Sequence, residues 1–197
     1  LLNMQNGLAD NTVSAVYKDK EGFVWFGTRN GLSRYDGRRI TNFERSRSYP
    51  SISNLKEVFD GVLAFVDNGV FSAFDLKKER FLSVVSSSGQ GIPSRGMLQR
   101  NDSLVWVISG SELHLMKRCA SKEGELRLRV QEKYTGWNNQ DNLLVAITYS
   151  SDKKSICLID EKGRIILLDA TNLNSFRVID LGRIGSLSVN SVLYDDG

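Results

Sequence analysis

The chain has little of what catalytic, metal-binding and membrane-spanning proteins require. Its 197 residues include one histidine, two cysteines and two prolines. No apolar run approaches the ~20 residues that span a bilayer. Residues 1–4 lack the basic start and the apolar core of a signal peptide, so we expect any secretion signal to precede them. The 26 Lys and Arg against 23 Asp and Glu give no charge excess for a nucleic-acid partner, which needs basic residues concentrated on one face.

The few histidine and cysteine residues predict no enzyme and no cofactor. His114 alternates with Leu113 and Leu115, which predicts an outward-facing strand residue. One histidine and two distant cysteines cannot supply a zinc ligand set, and no calcium loop or nucleophile elbow occurs. Cys157 lies in an apolar run and is expected to be a buried, inert thiol. A disulfide between Cys119 and Cys157 stays open from the sequence alone.

What the chain does have is a run of short strands. Residues 7–37 contain three strand-like segments, at 13–17, 23–26 and 32–35, separated by two glycine-containing turns. Such spacing predicts an antiparallel meander. Because so short a meander cannot bury its own faces, we expect it to be one unit of a repeated array.

The array is predicted to be a propeller. Weaker echoes of the first unit occur at 62–75, 103–116 and 155–169, and extended runs flank each one. The echo of Val16 at Val192 lies 176 residues downstream, which is about 44 residues per unit and close to a four-stranded propeller blade. We therefore predict an all-β fold, a partial β-propeller of about four four-stranded antiparallel blades plus the start of a fifth. The predicted blades are 8–48, 49–90, 91–136 and 137–184, with 185–197 beginning the next.

The first unit resembles a known repeat. Its pattern consists of Gly7-Leu8, Asn11, Val13, Val16, Asp19, Gly22-Phe23-Val24-Trp25-Phe26-Gly27-Thr28, Gly31-Leu32 and Arg34-Tyr35-Asp36-Gly37. This pattern closely resembles the two-component regulator propeller repeat, whereas the later units match it only in outline. The resemblance implies the N-terminal part of the periplasmic sensor region of a Bacteroidetes-type hybrid two-component system. In that family a membrane helix, a histidine kinase and a response regulator follow the propellers.

The repeat residues also have structural tasks. Trp25 and Phe26 are consecutive, so they face opposite sides of the blade, where each can pack against a neighbouring blade. Gly27 allows close approach of the next sheet, and Gly31 supplies a positive φ. Asp19 is expected to accept hydrogen bonds from turn amides.

Candidate ligand residues lie in the loops on one face of the predicted propeller. Those loops join the second and third strands or lead into the first strand of a blade. They hold Arg29, Asn30, Asp67, Asn68, Arg95, Trp137, Asn138 and Asn139. An exposed Trp137 beside amides would stack on a sugar ring. In the alternative that we favour, Trp137 packs between blades and the amides serve a turn.

The sequence and the resemblance together predict a sensory role. The chain would be the periplasmic input module of a membrane-anchored hybrid two-component protein, sensing an oligosaccharide released during polysaccharide breakdown and regulating a downstream histidine kinase. The alternative is a structural or protein-interaction propeller that binds no glycan. A propeller hydrolase or lyase is disfavoured because no acid/base pair occurs at matching loop positions. The open end of the blade array predicts self-association.

Overall fold

The computed structural model describes residues 2–44, 52–137 and 142–180, which form one short 3-10 helix (Met4–Asn6) and sixteen strands. The first four strands are β1 (Val13–Lys18), β2 (Val24–Thr28), β3 (Gly31–Tyr35) and β4 (Ile40–Glu44). The next four are β5 (Ile52–Phe59), β6 (Val62–Asp67), β7 (Val70–Asp75) and β8 (Arg80–Ser86). They are followed by β9 (Gly96–Asn101), β10 (Leu104–Ser109), β11 (Glu112–Cys119) and β12 (Glu125–Tyr134). The last four are β13 (Leu144–Tyr149), β14 (Ser155–Asp160), β15 (Ile165–Asp169) and β16 (Phe176–Ile179).

The predicted fold class is confirmed. Each group of four strands is an antiparallel meander in sequence order, and the first strands of successive groups lie next to one another. We call these groups blades one to four. Each falls inside one of the four predicted ranges, whose limits stay predictions. The expected start of a further blade at 185–197 lies outside the described residues. Within the described ranges, no helix is long and apolar enough to cross a membrane.

The outer strands of the second and third blades pair directly, which the sequence did not predict. Residues 83–86 of β8 run parallel to residues 125–128 of β12 and hydrogen-bond with them. The amide of Ser83 also donates to the carbonyl of Gly124 at 2.8 Å. The two blades therefore form one continuous eight-stranded sheet.

The apolar core is divided among the three seams between consecutive blades. Each seam buries the facing side chains of two sheets, as expected for units that cannot bury their own faces. The first seam contains Trp25, Leu32, Ile52, Leu55, Leu63, Phe65 and Phe74. The second includes Val58, Phe71, Met97, Val105, Val107 and Leu126, and the third includes Trp106, Leu113, Leu115, Ile147, Ile156 and Leu168.

Trp25 lies at the centre of the first seam, and Asp19 fixes the position of its indole ring by a hydrogen bond. The indole of Trp25 is fully buried, and its Nε1 donates to Asp19 Oδ2 at 2.7 Å. The other carboxylate oxygen, Oδ1, accepts the amides of Glu21 at 3.0 Å and Phe23 at 2.9 Å. This confirms the predicted turn role of Asp19 and adds the indole contact. Phe26, on the opposite side of the blade, is only half-buried.

The same turn occurs in the fourth blade. Asp160 Oδ1 accepts the amides of Lys162 at 3.0 Å and Arg164 at 2.9 Å. Its Oδ2 accepts a hydrogen bond from Arg164 Nε at 2.7 Å. The Asp-x-x-Gly sequence of 19–22 and 160–163 therefore encodes one turn whose spare oxygen binds a different partner in each blade.

Gly27 is required by the contact between the first two blades, as predicted. A Cβ at this position would lie 2.5 Å from Ile52 Cγ2 and 3.3 Å from Ala15 Cβ. Any side chain would push β5 away from β2. The positive φ predicted for Gly31 is also present, at 122°.

We expect Asp19→Ala to lower the free energy of unfolding by about 2 kcal/mol, because the buried Trp25 N–H loses its acceptor. Urea denaturation followed by circular dichroism measures the change. Asp36→Ala is the matched control, since Asp36 accepts the amides of Arg38 and Arg39 but is exposed, so water can replace it. Equal losses in the two variants would contradict the indole contact as the source of the effect.

We expect Gly27→Ala to cost about 1–3 kcal/mol of stability through overpacking. Gly91→Ala is the control, because a Cβ there would lie 3.8 Å from Val70 Cγ1, an ordinary van der Waals distance. In Gly27→Ala/Ile52→Ala the clashing methyl is removed, so the double variant should lose less stability than the sum of the single losses. If the stability losses of the two single variants simply add in the double variant, the close contact between Gly27 and Ile52 does not limit the packing of this seam.

Candidate functional site

The predicted ligand residues that the structure describes serve mainly as turn residues. Arg29 and Asn30 form the two-residue turn between β2 and β3, and Asn30 Nδ2 donates to the Ala9 carbonyl at 3.0 Å. Asp67 ends β6 and is buried, and Asn68 follows it with a left-handed φ of 49°. Their role in ligand binding stays a prediction.

Two of these loops lie side by side. The amide of Ser94 donates to the Gly69 carbonyl at 2.8 Å, which places the segment before β9 against the β6–β7 turn. The next residue, Arg95, is exposed, and its carbonyl accepts a hydrogen bond from Asn54 Nδ2 at 3.4 Å. The structure therefore brings Arg95 close to the Asn68 turn.

Trp137 is not an exposed stacking surface. Its side chain is only 5% exposed and lies in the core of the third seam. The ring of Phe176 packs edge-on against it, with 6.4 Å between centroids. The seam buries the indole because the chain crosses from the third to the fourth blade at this point. Asn138 and Asn139 lie outside the described residues.

The prediction for His114 was wrong, and the structure answers the open question about the cysteines. His114 is 9% exposed rather than outward-facing, because it lies in the buried part of β11 (113–116), where the third blade packs against neighbours on both faces. Lys117 and Arg118, further along the same strand, are exposed. Its Nε2 lies 2.6 Å from Glu112 Oε2, and this hydrogen bond lowers the pKa of the Glu112 carboxyl. Cys119 and Cys157 are both free thiols, so the disulfide does not form. Cys157 is buried, as expected, and burial raises its pKa.

A cleft between the first two blades lies at the opposite end of the strands from the predicted loops. We call it the seam cleft. It has a volume of about 480 Å³. The turns β1–β2, β5–β6 and β7–β8 surround it, and its lining is Asp19, Lys20, Glu21, Phe23, Trp25, Arg34, Glu57, Asp60, Gly61, Leu76, Lys77 and Glu79.

Aromatic rings and one guanidinium form the wall of the seam cleft. The guanidinium carbon of Arg34 lies 4.9 Å from the ring centroid of Phe23, and 5.5 Å from those of Trp25 and Phe43. Arg34 Nη1 also pairs with Glu79 Oε1 across the seam at 2.6 Å. The stacked rings and the ion pair together fix a flat, charged surface beside the half-buried ring of Phe23.

A second ion pair crosses the same seam. Lys20 Nζ lies 3.3 Å from Glu57 Oε1, which also accepts the amide of Gly61 at 3.0 Å. The hydrogen bond to Glu57 raises the pKa of Lys20. On the rim, Lys77 pairs with Asp60 at 3.3 Å. Each of the three cations of the seam cleft therefore has a carboxylate partner.

Most charged side chains of the seam cleft are paired. Its lining contains no histidine, cysteine, serine or threonine. Four of its five carboxylates already accept hydrogen bonds from a cation or an N–H group. In the described part of the chain, no group of three or more His, Cys, Asp or Glu side chains could hold a metal ion. A ring face beside charged acceptors suits a ligand with hydroxyl groups. The sequence singled out Asp19 and Trp25 but gave no indication that they border a cleft.

Comparison with known proteins gives one family match. Residues 7–30 match the two-component regulator propeller model. This match covers the turn of Asp19 and the wall residues Phe23 and Trp25. No curated protein matches the chain.

Solved structures show the same fold. The extracellular domain of B. thetaiotaomicron BT3049, assigned to a hybrid two-component system, has a TM-score of 0.67 and 17% identity, over 88% of this chain and 24% of that one. The extracellular domain of BT4673 from the same organism, assigned to a one-component system, has a TM-score of 0.65 and 15% identity, over 91% and 27%. Virginiamycin B lyase of Staphylococcus aureus has a TM-score of 0.61 and 12% identity, over 88% and 58%.

At these identities the likeness establishes the fold and not the activity. The chain spans about a quarter of the length of the two B. thetaiotaomicron structures. The predicted resemblance is confirmed: the chain carries a two-component regulator propeller repeat at residues 7–30, and its blades adopt the propeller fold of these extracellular domains.

Proposed function

We propose that this chain is a sensory input module of a two-component signalling protein. One observation carries the proposal: residues 7–30, which match the regulator propeller repeat, also build a wall of the seam cleft. The matched structures include an extracellular domain assigned to a hybrid two-component system. The module would accordingly lie outside the cytoplasm, in the periplasm, in a protein anchored in the inner membrane. The catalytic step would belong to a histidine kinase elsewhere in that protein.

The ligand proposed for the seam cleft is an oligosaccharide released during polysaccharide breakdown. The ring of Phe23 would stack against a sugar face, and the carboxylates of Asp60 and Glu79 would accept hydrogen bonds from its hydroxyls. A cleft of about 480 Å³ is within the usual size of a small-molecule site. This places the ligand at the opposite end of the strands from the loops predicted from the sequence.

Ligand binding would be transmitted through the first seam. The cleft lies between two blades that ion pairs Arg34–Glu79 and Lys20–Glu57 already connect. A sugar that contacts both blades would favour one spacing of the seam over another. It can shift the balance between two dimer arrangements, and hence kinase activity, only by binding one arrangement more tightly.

An interaction propeller is the second candidate, and the exposed valines of the first blade favour it. Val16 on β1 is 61% exposed and Val13 is 38% exposed. On the outer strand of the fourth blade, Phe176 and Val178 are 41% and 39% exposed. Exposed apolar side chains at the two ends of the blade array suit contact with another protein, including a second copy of this chain.

For the sensory proposal, we expect Phe23→Ala to weaken oligosaccharide binding at least about tenfold, because the stacking ring is lost. Titration calorimetry against a panel of oligosaccharides from enzymatic polysaccharide digests measures this. Phe176→Ala is the matched control, since it removes a half-exposed ring far from the seam cleft. If Phe23→Ala and the unchanged protein bind a sugar equally well, the seam cleft is not the binding site. If the unchanged protein binds none of the oligosaccharides, the proposal of glycan sensing is wrong.

For self-association, we expect Val16→Asp to lower the association constant at least about tenfold, because a buried charge would oppose the contact. Sedimentation equilibrium measures the oligomeric state. Val178→Asp tests the other end of the array in the same way. A monomer in the unchanged protein at high concentration would contradict self-association without affecting the sugar-binding result.

A further inference from the structure

A second cavity lies among the inner strands and differs in charge from the seam cleft. We call it the inner-strand cavity, and its volume is about 690 Å³. Strands β5 and β9 and the turns of the fourth blade form it. The lining residues are Lys56, Glu57, Leu98, Gln99, Arg100, Asn101, Tyr149, Lys153, Ala170 and Thr171.

Three cations line this cavity. Within the described ranges, no carboxylate oxygen pairs with Lys56, Arg100 or Lys153 at 4.0 Å or less. Arg100 instead donates to the carbonyl of Ala170 at 3.5 Å and lies over the ring of Trp106, 5.2 Å from its centroid. The contrast with the seam cleft is direct, because all three cations there are paired.

The single carboxylate of the inner-strand cavity is already engaged. Glu57 Oε1 holds Lys20 and the amide of Gly61, both on the side of the first seam. The other titratable side chain is Tyr149, whose hydroxyl accepts a hydrogen bond from Trp106 Nε1 at 3.2 Å. The lining therefore has three cationic side chains and one carboxylate that already pairs with Lys20, so the cavity is electropositive.

Lys56 gives the strongest indication of a ligand. It lies on an inner strand and is half-buried, and burial lowers the pKa of its ammonium group. Burial of a lysine without a counter-ion disfavours its ammonium form, and an anion beside it offsets that cost. A bound anion would supply that partner, and the planar guanidinium of Arg100 suits a carboxylate.

We propose that the inner-strand cavity binds a small ligand carrying an oxyanion, which Lys56 and the neighbouring cations of the cavity hold. The volume of the cavity accommodates a body the size of a sugar attached to the oxyanion, with the Gln99 amide on the same wall. The proposal does not depend on sugar binding in the seam cleft, because different residues line the two sites apart from Glu57.

The test uses D-glucuronate, with D-glucose as the matched neutral probe and inorganic sulfate as the bare oxyanion. By titration calorimetry at pH 7, we expect glucuronate to bind at least about tenfold more tightly than glucose. Lys56→Gln should weaken glucuronate binding at least about tenfold, whereas Lys78→Gln, which removes a cation that pairs with Glu123 outside both sites, should leave it unchanged. Sulfate should compete with glucuronate.

The pH dependence identifies Lys56 as the group involved. Its ammonium form binds the anion, so affinity for glucuronate should fall as pH rises through the lowered pKa of Lys56. Lys56→Arg should retain binding and lose this fall, because a guanidinium stays charged. Thermal melts by circular dichroism check folding, and Lys56→Gln should be at least as stable as the unchanged protein.

Three results would overturn the proposal. They are equal affinity for glucuronate and glucose, glucuronate binding that Lys56→Gln leaves unchanged, and binding of sulfate without binding of glucuronate. The Phe23→Ala variant does not alter this cavity, so its result and that of Lys56→Gln distinguish failure at one site from failure at the other.

Discussion

Burial of apolar strand faces between consecutive blades is the constraint on which this structure depends. No single meander of four short strands can exclude water from both of its faces, so each blade is completed by the next. In the first seam this contact has an identifiable centre, the buried Trp25 held by Asp19 and packed against Phe43 and Phe74 at centroid distances of 5.6 and 5.5 Å. The absence of a side chain at Gly27 lets the second blade approach closely enough to make it.

The local rules of the fold could be predicted from the sequence, because strand alternation and Asp-x-x-Gly turns are encoded within a few residues. Asp19, Gly27 and Gly31 have the roles expected of them. Apart from the close approach at Gly27, the particular contacts between blades could not be predicted. Sequence alternation gives His114 an outward position, but its part of β11 is buried between blades. The amide-rich context of Trp137 favoured its packing between blades but did not indicate which seam buries it.

The candidate sites likewise combine residues that the sequence pattern identifies with contacts between blades that it does not. The repeat residues Phe23 and Trp25 were recognised, but the cleft beside them exists only because turns from the second blade close over it. Lys56 gave no sequence signal at all, since one lysine in a strand is common. Its importance lies in its lack of an ion pair: Lys20 and Arg34 each pair with a carboxylate, whereas Lys56 pairs with none in the described part of the chain. Charge pairing therefore distinguishes the seam cleft, whose cations have carboxylate partners, from the electropositive inner-strand cavity.

The parallel pairing of β8 with β12 makes the three seams mechanically unequal. Separating the second blade from the third requires breaking the parallel ladder between β8 and β12 as well as exposing apolar side chains. In the described residues, the third seam has one backbone hydrogen bond between blades, from the Leu144 amide to the Gly110 carbonyl at 2.9 Å, and the first seam has none. The middle two blades should therefore move as one rigid unit, with low-energy opening confined to the seams on either side of it. A mechanical signal generated in the first seam would be passed on by this unit as a whole-body rotation, without distortion inside it.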